Sequence, residues 1–371
     1  MQYAMITARR HKTPYYSALK ERSAVMVKKI AALVGFVSLF GSTAYATTIS
    51  GAGATFPAPV YGKWANSYRN QTGAVINYQP IGSGGGIKQI KASTVDFGAS
   101  DKPLKTEELS KDGLYQFPTV MGGIVPIINL PGLRSGRLHL TGSILADIYL
   151  GKITRWNDPR IASINPWLKL PPVPITVVHR ADGSGTSFQF TSYLSLKSPE
   201  WTSRVGASDA VQWPIGLGGK GNDGVAAFVK QTIGSIGYVE YAYTRQSTVP
   251  YALIANRDGR FPHPSTESFK AASASADWTH AAGNNISLLD QKGAESWPIV
   301  STTYILLHRT PSKPETTAEI LKFFDWGYQN GDQDALSLDY APLPKEVKTF
   351  IRQQWGSNIQ VNGKAVYNAA R

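Results

Sequence analysis

Three turns rich in glycine, serine and threonine most constrain the fold of this chain, because each stands between a strand-like and a helix-like segment. They span residues 51–59, 82–86 and 180–187. Strands that alternate with helices are typical of an α/β sheet, in which ligands bind beyond the carboxyl ends of the strands. The sequence therefore predicts an α/β fold whose three turns occupy ligand-binding positions.

The turn at 180–187 has the chemistry of an oxyanion site. Its glycines allow a tight helix start with outward backbone N–H groups, and the hydroxyls of Ser184, Thr186 and Ser187 add donors. Arg180 adds a planar, permanently charged fork, and Asp182 is placed to hold that guanidinium by a charge-assisted hydrogen bond. A plain N-cap is the structural alternative, because Asp, Ser and Thr are favoured there without any ligand.

The other two turns repeat this design. Ser83 lies in a run of glycines after the strand-like segment 74–78. Pro57 and Pro59 suit a first helical turn that leaves the N–H groups of Thr55 and Phe56 free. Three turns of one kind favour a shared anion site over three unrelated helix caps.

Asp101 follows the strand-like segment 95–99 and could enter the same cleft. An ordinary turn aspartate is the alternative. A carboxylate that faces an anion is unfavourable unless the ligand carries a proton, as hydrogen phosphate does and sulfate at neutral pH does not. An acceptor at this position would therefore select phosphate, because an unpaired buried polar group can discriminate by about 10⁴-fold.

The composition excludes several classes of site. The 371 residues suffice for two domains and contain no cysteine, which excludes a thiolate nucleophile, Cys-ligated zinc, an iron–sulfur cluster and a lipidated N-terminal cysteine. The chain has neither a P-loop motif nor a G-x-S-x-G elbow, and its six histidines show no metal-ligand spacing. The G-x-G-x-x-G match at 216–221 follows a poor strand, so we interpret it as a turn that leads into a helix from Gly224.

A secreted phosphatase or phosphotransferase stays the alternative to a binding protein, although neither a nucleophile with a base nor a metal cluster is visible.

The N-terminus predicts export. Lys28 and Lys29 precede the apolar run 30–40, and Ala44-Tyr45-Ala46 is an A-x-A cleavage signature. Residues 26–46 are therefore a predicted signal peptide, and residues 1–25 are an upstream extension, disordered or not translated. The formal net charge is +13, of which the first 46 residues carry +6. The remaining +7 shows no long basic run of the kind that nucleic-acid binders have.

Periodicity gives the expected elements, with mainly parallel sheets. Strands are predicted at 48–51, 74–78, 95–99, 123–129, 175–178, 236–243 and 303–308. Helices are predicted at 59–70, 85–92, 142–150, 186–196, 224–231, 266–274, 315–328 and 345–355.

The chain resembles the periplasmic high-affinity phosphate-binding proteins of bacterial ABC phosphate transporters. The resemblance runs from about residue 48 to 355 and is carried by 51–59, 82–89, 95–101, 180–193, 213–224, 237–241 and 323–327. It implies a class II periplasmic-binding-protein fold, with two α/β lobes, a ligand cleft between them, and two crossing strands near 120–125 and 297–302. Lobe 1 would comprise 47–122 and 300–371, and lobe 2 would comprise 123–299.

The resemblance also implies a site and partners. Phosphate would be desolvated between the lobes, with Asp182 paired to the arginine, and would be held by Thr55, Phe56, Ser83, Asp101, Arg180, Ser184, Gly185 and Thr186. The implied protein is a periplasmic, non-enzymatic monomer that uses no cofactor and no metal and binds no nucleic acid. It would close over phosphate and deliver it to an inner-membrane ABC permease with a cytoplasmic ATPase.

Overall fold

The computed structural model describes residues 48–369. The predicted upstream extension (1–25) and signal peptide (26–46) lie outside these residues and stay predictions. Within the described range, no helix is both long and apolar enough to span a lipid bilayer.

The strands of residues 48–369 are β1 Thr48–Gly53, β2 Val75–Pro80, β3 Phe97–Ser100, β4 Leu114–Ile128, β5 His139–Leu140, β6 Thr176–Arg180, β7 Leu217–Gly219, β8 Ser235–Glu240, β9 Leu253–Ile254, β10 Leu288–Leu289, β11 Ile299–His308, β12 Ala341–Pro342, β13 Gln360–Val361 and β14 Lys364–Ala365.

The helices are α1 Ala58–Thr72, α2 Ser83–Lys91, α3 Thr106–Lys111, α4 Gly142–Tyr149, α5 Pro159–Ala162, α6 Gly185–Lys197, α7 Pro199–Arg204, α8 Gly221–Gln231, α9 Ala242–Ser247, α10 Thr266–Ser273, α11 Pro314–Asn330, α12 Asp332–Leu336 and α13 Lys345–Asn358.

One large mixed sheet has the strand order β2-β1-β3-β11-β4-β8-β6-β7. At one end β1 pairs in parallel with β2 and β3, and at the other end β6 pairs in parallel with β7 and β8. Between these sets, β11 and β4 run antiparallel to each other and to the strands beside them. The expectation of mainly parallel strands therefore holds within each set and is wrong at the centre. Each of the three glycine-rich turns leads from a strand of a parallel set into a helix.

Strand β4 is much longer than the predicted 123–129. Its first half pairs with β11 and its second half with β8. The β11 ladder pairs Thr303 with Val120 but Tyr304 with Pro118, so Thr119 is an extra residue in a bulge. Proline is tolerated in a sheet at such a bulge, and the local rule that proline disfavours a strand therefore fails here.

Two other predicted elements need correction. The strand predicted at 236–243 ends at Glu240, because its side-chain Oε2 accepts from the Ala242 N–H at 2.9 Å and the chain turns into α9. The run 216–221 is not a simple turn, since it contains the edge strand β7 and α8 begins at Gly221 rather than Gly224. A three-residue edge strand has too little periodicity to be found from the sequence.

An aromatic cluster supports the turns that follow β1 and β3. The ring of Phe324 on α11 contacts the rings of Tyr61, Phe97 and Phe117, with centroids 5.7, 5.5 and 5.8 Å away. These buried edge-to-face contacts join α1, β3 and β4 to one helix. The loops at the carboxyl ends of β1 and β3 therefore stand on a rigid base.

Candidate functional site

The first turn joins β1 to α1 and presents unpaired amides. Pro57 is the N-cap residue, and within residues 48–369 the backbone N–H groups of Thr55 and Phe56 donate no hydrogen bond. The carbonyl groups of the turn are fixed from behind. The Tyr243 hydroxyl donates to the Thr55 oxygen at 2.6 Å, and the Tyr340 hydroxyl donates to the Phe56 oxygen at 2.6 Å.

The second turn starts α2 at Ser83. Gly82 has φ +94°, and a Cβ there would lie 2.3 Å from Asp182 Oδ2, so glycine is required both for backbone conformation and for space. The Ser83 hydroxyl accepts from the Asp101 backbone N–H at 3.2 Å. Ser83 and Asp101 are each only 1% exposed, so this contact is buried.

Asp101 begins the loop after β3, and its carboxyl group has few hydrogen-bond donors in suitable geometry around it. Oδ1 has no hydrogen-bond partner among the described residues, and the same is true of the buried hydroxyls of Thr186 and Thr303. Burial raises the pKa of Asp101 to about 7, against the lowering effects of the Thr303 hydroxyl, the Arg180 charge and the hydroxyls of Thr186 and Ser83. The carboxyl group can therefore gain or lose a proton near neutral pH.

Arg180 and Asp182 form a buried bidentate pair at the end of β6. Arg180 Nε donates to Asp182 Oδ1 at 2.8 Å and Nη2 donates to Oδ2 at 2.5 Å. Burial alone would raise the pKa of Asp182, but the hydrogen bond and charge of Arg180 and the N–H of Gly221 hold it below its ordinary value. Asp182 therefore stays ionised and fixes the orientation of the guanidinium, as the sequence predicted.

The third turn starts α6 with Ser184 as a true N-cap. The Ser184 hydroxyl accepts from the Ser187 N–H at 3.0 Å, so it caps the helix as the structural alternative proposed. The amides of Gly185 and Thr186 donate no hydrogen bond within the described range. Ser187 is directed elsewhere, because its hydroxyl lies 2.5 Å from that of Tyr238.

The structure brings the predicted site residues together from distant parts of the chain. A Cβ on Gly185 would lie 2.6 Å from both Asp101 Cβ and Ser83 Oγ. The Gly84 N–H donates to the Gly183 oxygen at 2.9 Å. The N-terminus of α6 is therefore packed directly against the turns that follow β2 and β3.

Sequence reasoning missed the residues that join these turns. Asn222 on α8 is fully buried, and its Nδ2 donates to Thr55 Oγ1 at 2.8 Å. Gln189 on α6 donates from Nε2 to the Asp101 oxygen at 2.8 Å. Asn222 directly follows the glycine-rich run 216–221 and Gln189 lies within α6, but neither position shows from the sequence which distant group its side chain will meet.

An ion pair lies at the edge of the same cleft. Lys102 Nζ lies 2.7 Å from Asp209 Oδ1, and the two side chains are 28% and 20% exposed. Lys102 follows Asp101 directly, but it faces Asp209 rather than Asp101. The Asp209 carbonyl oxygen in turn accepts from the Ser184 N–H at 2.9 Å. The pair therefore connects the loop after β3 to the start of α6.

The arrangement suits an anion that carries a proton. Unpaired amides at the starts of α1, α2 and α6, each a helix of nine residues or more, and the Arg180 guanidinium lie near the Asp101 carboxyl group, which titrates near neutrality. Among the described residues no group of three or more His, Asp or Glu side chains is placed to hold a metal ion.

Known proteins share both the sequence and the fold. Residues 40–330 match the PBP superfamily domain. The chain is 50% identical over 343 residues to the phosphate-binding protein PstS of Pasteurella multocida strain Pm70, covering 92% of this chain and 100% of that protein. It is 50% identical over 317 residues to the PstS protein of Haemophilus influenzae, covering 85% of this chain and 95% of that one.

A solved structure gives the same result for the fold. A phosphate-binding protein from Stenotrophomonas maltophilia superposes with a TM-score of 0.66 at 23% identity, covering 86% of this chain and 97% of that chain. The superfamily match and this similarity confirm the two-lobed α/β periplasmic-binding-protein fold that the sequence predicted.

Proposed function

Because this chain belongs to the PstS family of phosphate-binding proteins within the PBP superfamily, we propose that it binds inorganic phosphate between its lobes for an ABC importer. The observation that carries the proposal is the packing of Gly185 against Ser83 and Asp101, which brings the start of α6 beside the turn after β2 and the loop after β3. The position of Asp101 in this contact makes the preference for phosphate over sulfate testable.

Phosphate would be held without a metal. The N–H groups of Thr55, Phe56, Ser83, Gly185 and Thr186 would donate to its oxygens, with the Ser83, Ser184 and Thr186 hydroxyls and the Arg180 guanidinium. Helix N-termini and a guanidinium favour a tetrahedral dianion, and a dry site strengthens each hydrogen bond. Asp182 would neutralise part of the arginine charge while keeping its fork in place.

Asp101 would select the ligand by its proton. With a pKa of about 7, the carboxyl group can accept the hydrogen of hydrogen phosphate at neutral pH. Sulfate offers no hydrogen, so its oxygens and an ionised Asp101 would face each other as two acceptors. Below pH 7 the protonated Asp101 could instead donate to sulfate, and discrimination should then weaken.

Binding would close the two lobes. We assign 47–122 with 300–371 to lobe 1 and 123–299 to lobe 2, with crossings where β4 and β11 lie side by side. The contacts of Thr55 with Asn222 and of Gly84 with Gly183 would then join the lobes only in the closed form. A hinge motion of this kind lets ligand contacts shift the population toward closure.

The location and partners follow from the family. We propose that the signal peptide at 26–46 directs a monomeric chain to the periplasm. The closed form would then deliver phosphate to an inner-membrane permease driven by a cytoplasmic ATPase.

Titration calorimetry with phosphate and sulfate tests the binding proposal. Wild type should bind phosphate and discriminate against sulfate by at least about 10²-fold at pH 8. Asp101→Asn should bind phosphate more weakly and lose most of that ratio. Asp96→Asn is the matched control, because Asp96 bonds to Ser50 at the other end of β1 and should leave the ratio unchanged. Equal affinity of wild type for both anions would refute the role of Asp101.

Turnover of a chromogenic phosphomonoester tests the enzymatic alternative. We expect no release of product above the uncatalysed rate, because the proposal assigns Asp101 to the proton of the ligand rather than to the activation of a neighbouring hydroxyl, and the described residues hold no metal cluster. Phosphatase activity that Arg180→Ala abolishes would contradict a purely binding role.

A further inference from the structure

Glu240 is a buried acid behind the first turn that phosphate binding does not use. It ends β8, and its side chain is completely shielded from solvent. A Cβ on Gly122 of β4 would lie 2.9 Å from Glu240 Oε1 and 2.8 Å from the Phe56 ring. The carboxyl group therefore lies where β4 crosses between the two parallel sets of strands. It is close to Phe56, whose backbone N–H donates no hydrogen bond within the described range.

The backbone N–H and one carboxyl oxygen of Glu240 are paired. Its N–H donates to Asn222 Oδ1 at 3.0 Å, and Asn222 in turn donates to the Thr55 hydroxyl. Oε2 accepts from the Ala242 N–H at 2.9 Å. Oε1 makes no well-aligned hydrogen bond among the described residues, although the Tyr340 hydroxyl lies near enough to interact with the carboxyl group.

The single hydroxyl proton of Tyr340 limits how Glu240 and Tyr340 can form a hydrogen bond. A tyrosine hydroxyl has one proton, and Tyr340 donates it to the Phe56 oxygen at 2.6 Å. Tyr340 can therefore only accept from Glu240. An ionised Glu240 has no proton to give and would place two acceptors face to face, whereas a neutral carboxylic acid would donate from Oε1 and satisfy both groups.

The surroundings also favour the neutral acid. The titratable groups that act on Glu240 are Tyr340, Asp339 and Asp101, and Tyr243 also lies within range. Within residues 48–369 no lysine, arginine or histidine forms an ion pair with it. Burial, together with the charges of Asp339 and Asp101, raises its pKa well above the ordinary value, against the lowering effect of the Ala242 N–H. A second ionised acid here would also repel an anion in the site.

We propose that Glu240 is a positioning residue held as a neutral carboxylic acid, whose O–H donates to Tyr340 and so completes a relay that fixes the Phe56 carbonyl. The relay would orient the Thr55 and Phe56 amides toward phosphate, and this part rests on the proposed function. Asn222 would connect the same residue to the Thr55 hydroxyl. Glu240 would thus hold the first turn in place from the opposite lobe.

Infrared spectroscopy of the ligand-free protein tests the protonation state directly. In the Asp101→Asn background, we expect a carboxylic-acid carbonyl band at pH 7.5 that Glu240→Gln removes and Asp96→Asn does not. Asp96 is the matched control because hydrogen bonds from Ser50 and Lys313 outweigh burial and lower its pKa. The absence of such a band would overturn the proposal whether or not the protein binds phosphate.

Affinity measurements test the positioning role. Glu240→Leu should weaken phosphate binding about tenfold, the effect of losing one buried hydrogen bond. Glu240→Gln should restore affinity to within about threefold, because its amide can donate to Tyr340 and accept from Ala242. Tyr340→Phe should also cost about tenfold and add little to Glu240→Leu. If Glu240→Gln binds phosphate as weakly as Glu240→Leu does, the relay is wrong. If Glu240→Leu fails to fold, the test is whether Glu240→Gln binds phosphate near the wild-type affinity while Tyr340→Phe binds about tenfold more weakly.

Discussion

Asp101 and Asp182 lie on opposite sides of the cleft, and the two acids behave in opposite ways. On the side built from the turns after β1, β2 and β3, burial dominates and the pKa of Asp101 rises to about 7. On the side built from the turn after β6, Asp182 bonds twice to Arg180, and this pairing keeps its pKa low despite partial burial. The same residue type therefore titrates near neutral pH on one side and stays ionised beside a cation on the other.

The difference shows how an anion site can include carboxylates without repelling its ligand. Asp182 is neutralised by the residue that it orients, and Asp101 can share a proton with the ligand. The nearby Lys102 does not cancel this arrangement, because it pairs with Asp209 across the cleft.

Removal of Arg180 should have the largest effect. Arg180→Ala deletes the charge and leaves Asp182 ionised and unpaired, so phosphate affinity should fall about 10³-fold by calorimetry, the cost of breaking a buried charge pair. Arg180→Lys is the matched variant, because it keeps the charge but loses the fork and should recover part of the affinity. Binding by Arg180→Ala within tenfold of wild type would show that the backbone amides suffice.

In the proposed closed form, the two sides meet at Gly185. A Cβ there would overlap Asp101 and Ser83, so Gly185→Ala should weaken phosphate binding by about 10- to 100-fold and hold the lobes apart in small-angle scattering. Gly62→Ala is the control, because Gly62 lies on α1 with no atom within 4 Å of an added Cβ. The control should bind as wild type does and be slightly more stable. Normal affinity of Gly185→Ala would contradict the close approach.

The raised pKa of Asp101 should make the ligand-free protein less stable as pH rises. Between its ordinary value of 3.8 and about 7, the folded state holds a proton that the unfolded state releases. The free energy of unfolding should therefore fall by up to about 1.4 kcal/mol per pH unit in that window, as measured in urea. Asp101→Asn should flatten this slope and be the more stable protein at pH 7. An unchanged slope would place the titrating group elsewhere.

The ion pair at the edge should matter least. Lys102→Ala and Asp209→Ala should each weaken phosphate binding about two- to fivefold, since a partly exposed pair contributes at most about 1 kcal/mol. The double variant should be little worse than either single one, and high salt should reduce all three differences. Lys322→Ala, which breaks an exposed pair on α11, is the control without effect. Additive losses would mean that the two residues act separately.

Much of the fold was predictable because local patterns determine it. The turns at 51–59, 82–86 and 180–187 each join a strand to a helix as predicted. The long strand β4 was only half predicted, because its first half is set by pairing with β11, a strand from a remote part of the chain. Strand β7 and helix α9 were missed since each is too short to show a period.

The sequence by itself determined the chemistry of the turns: free amides at three helix starts, hydroxyl groups beside them, and Arg180 two residues before Asp182. Only the tertiary structure decided which distant groups meet, such as Asn222 and Thr55, which are 167 positions apart. It also decided the raised pKa of Asp101 and the surroundings of Glu240. The physical reason is that desolvation depends on what packs around a carboxyl group, and those neighbours come from remote segments that no local pattern specifies.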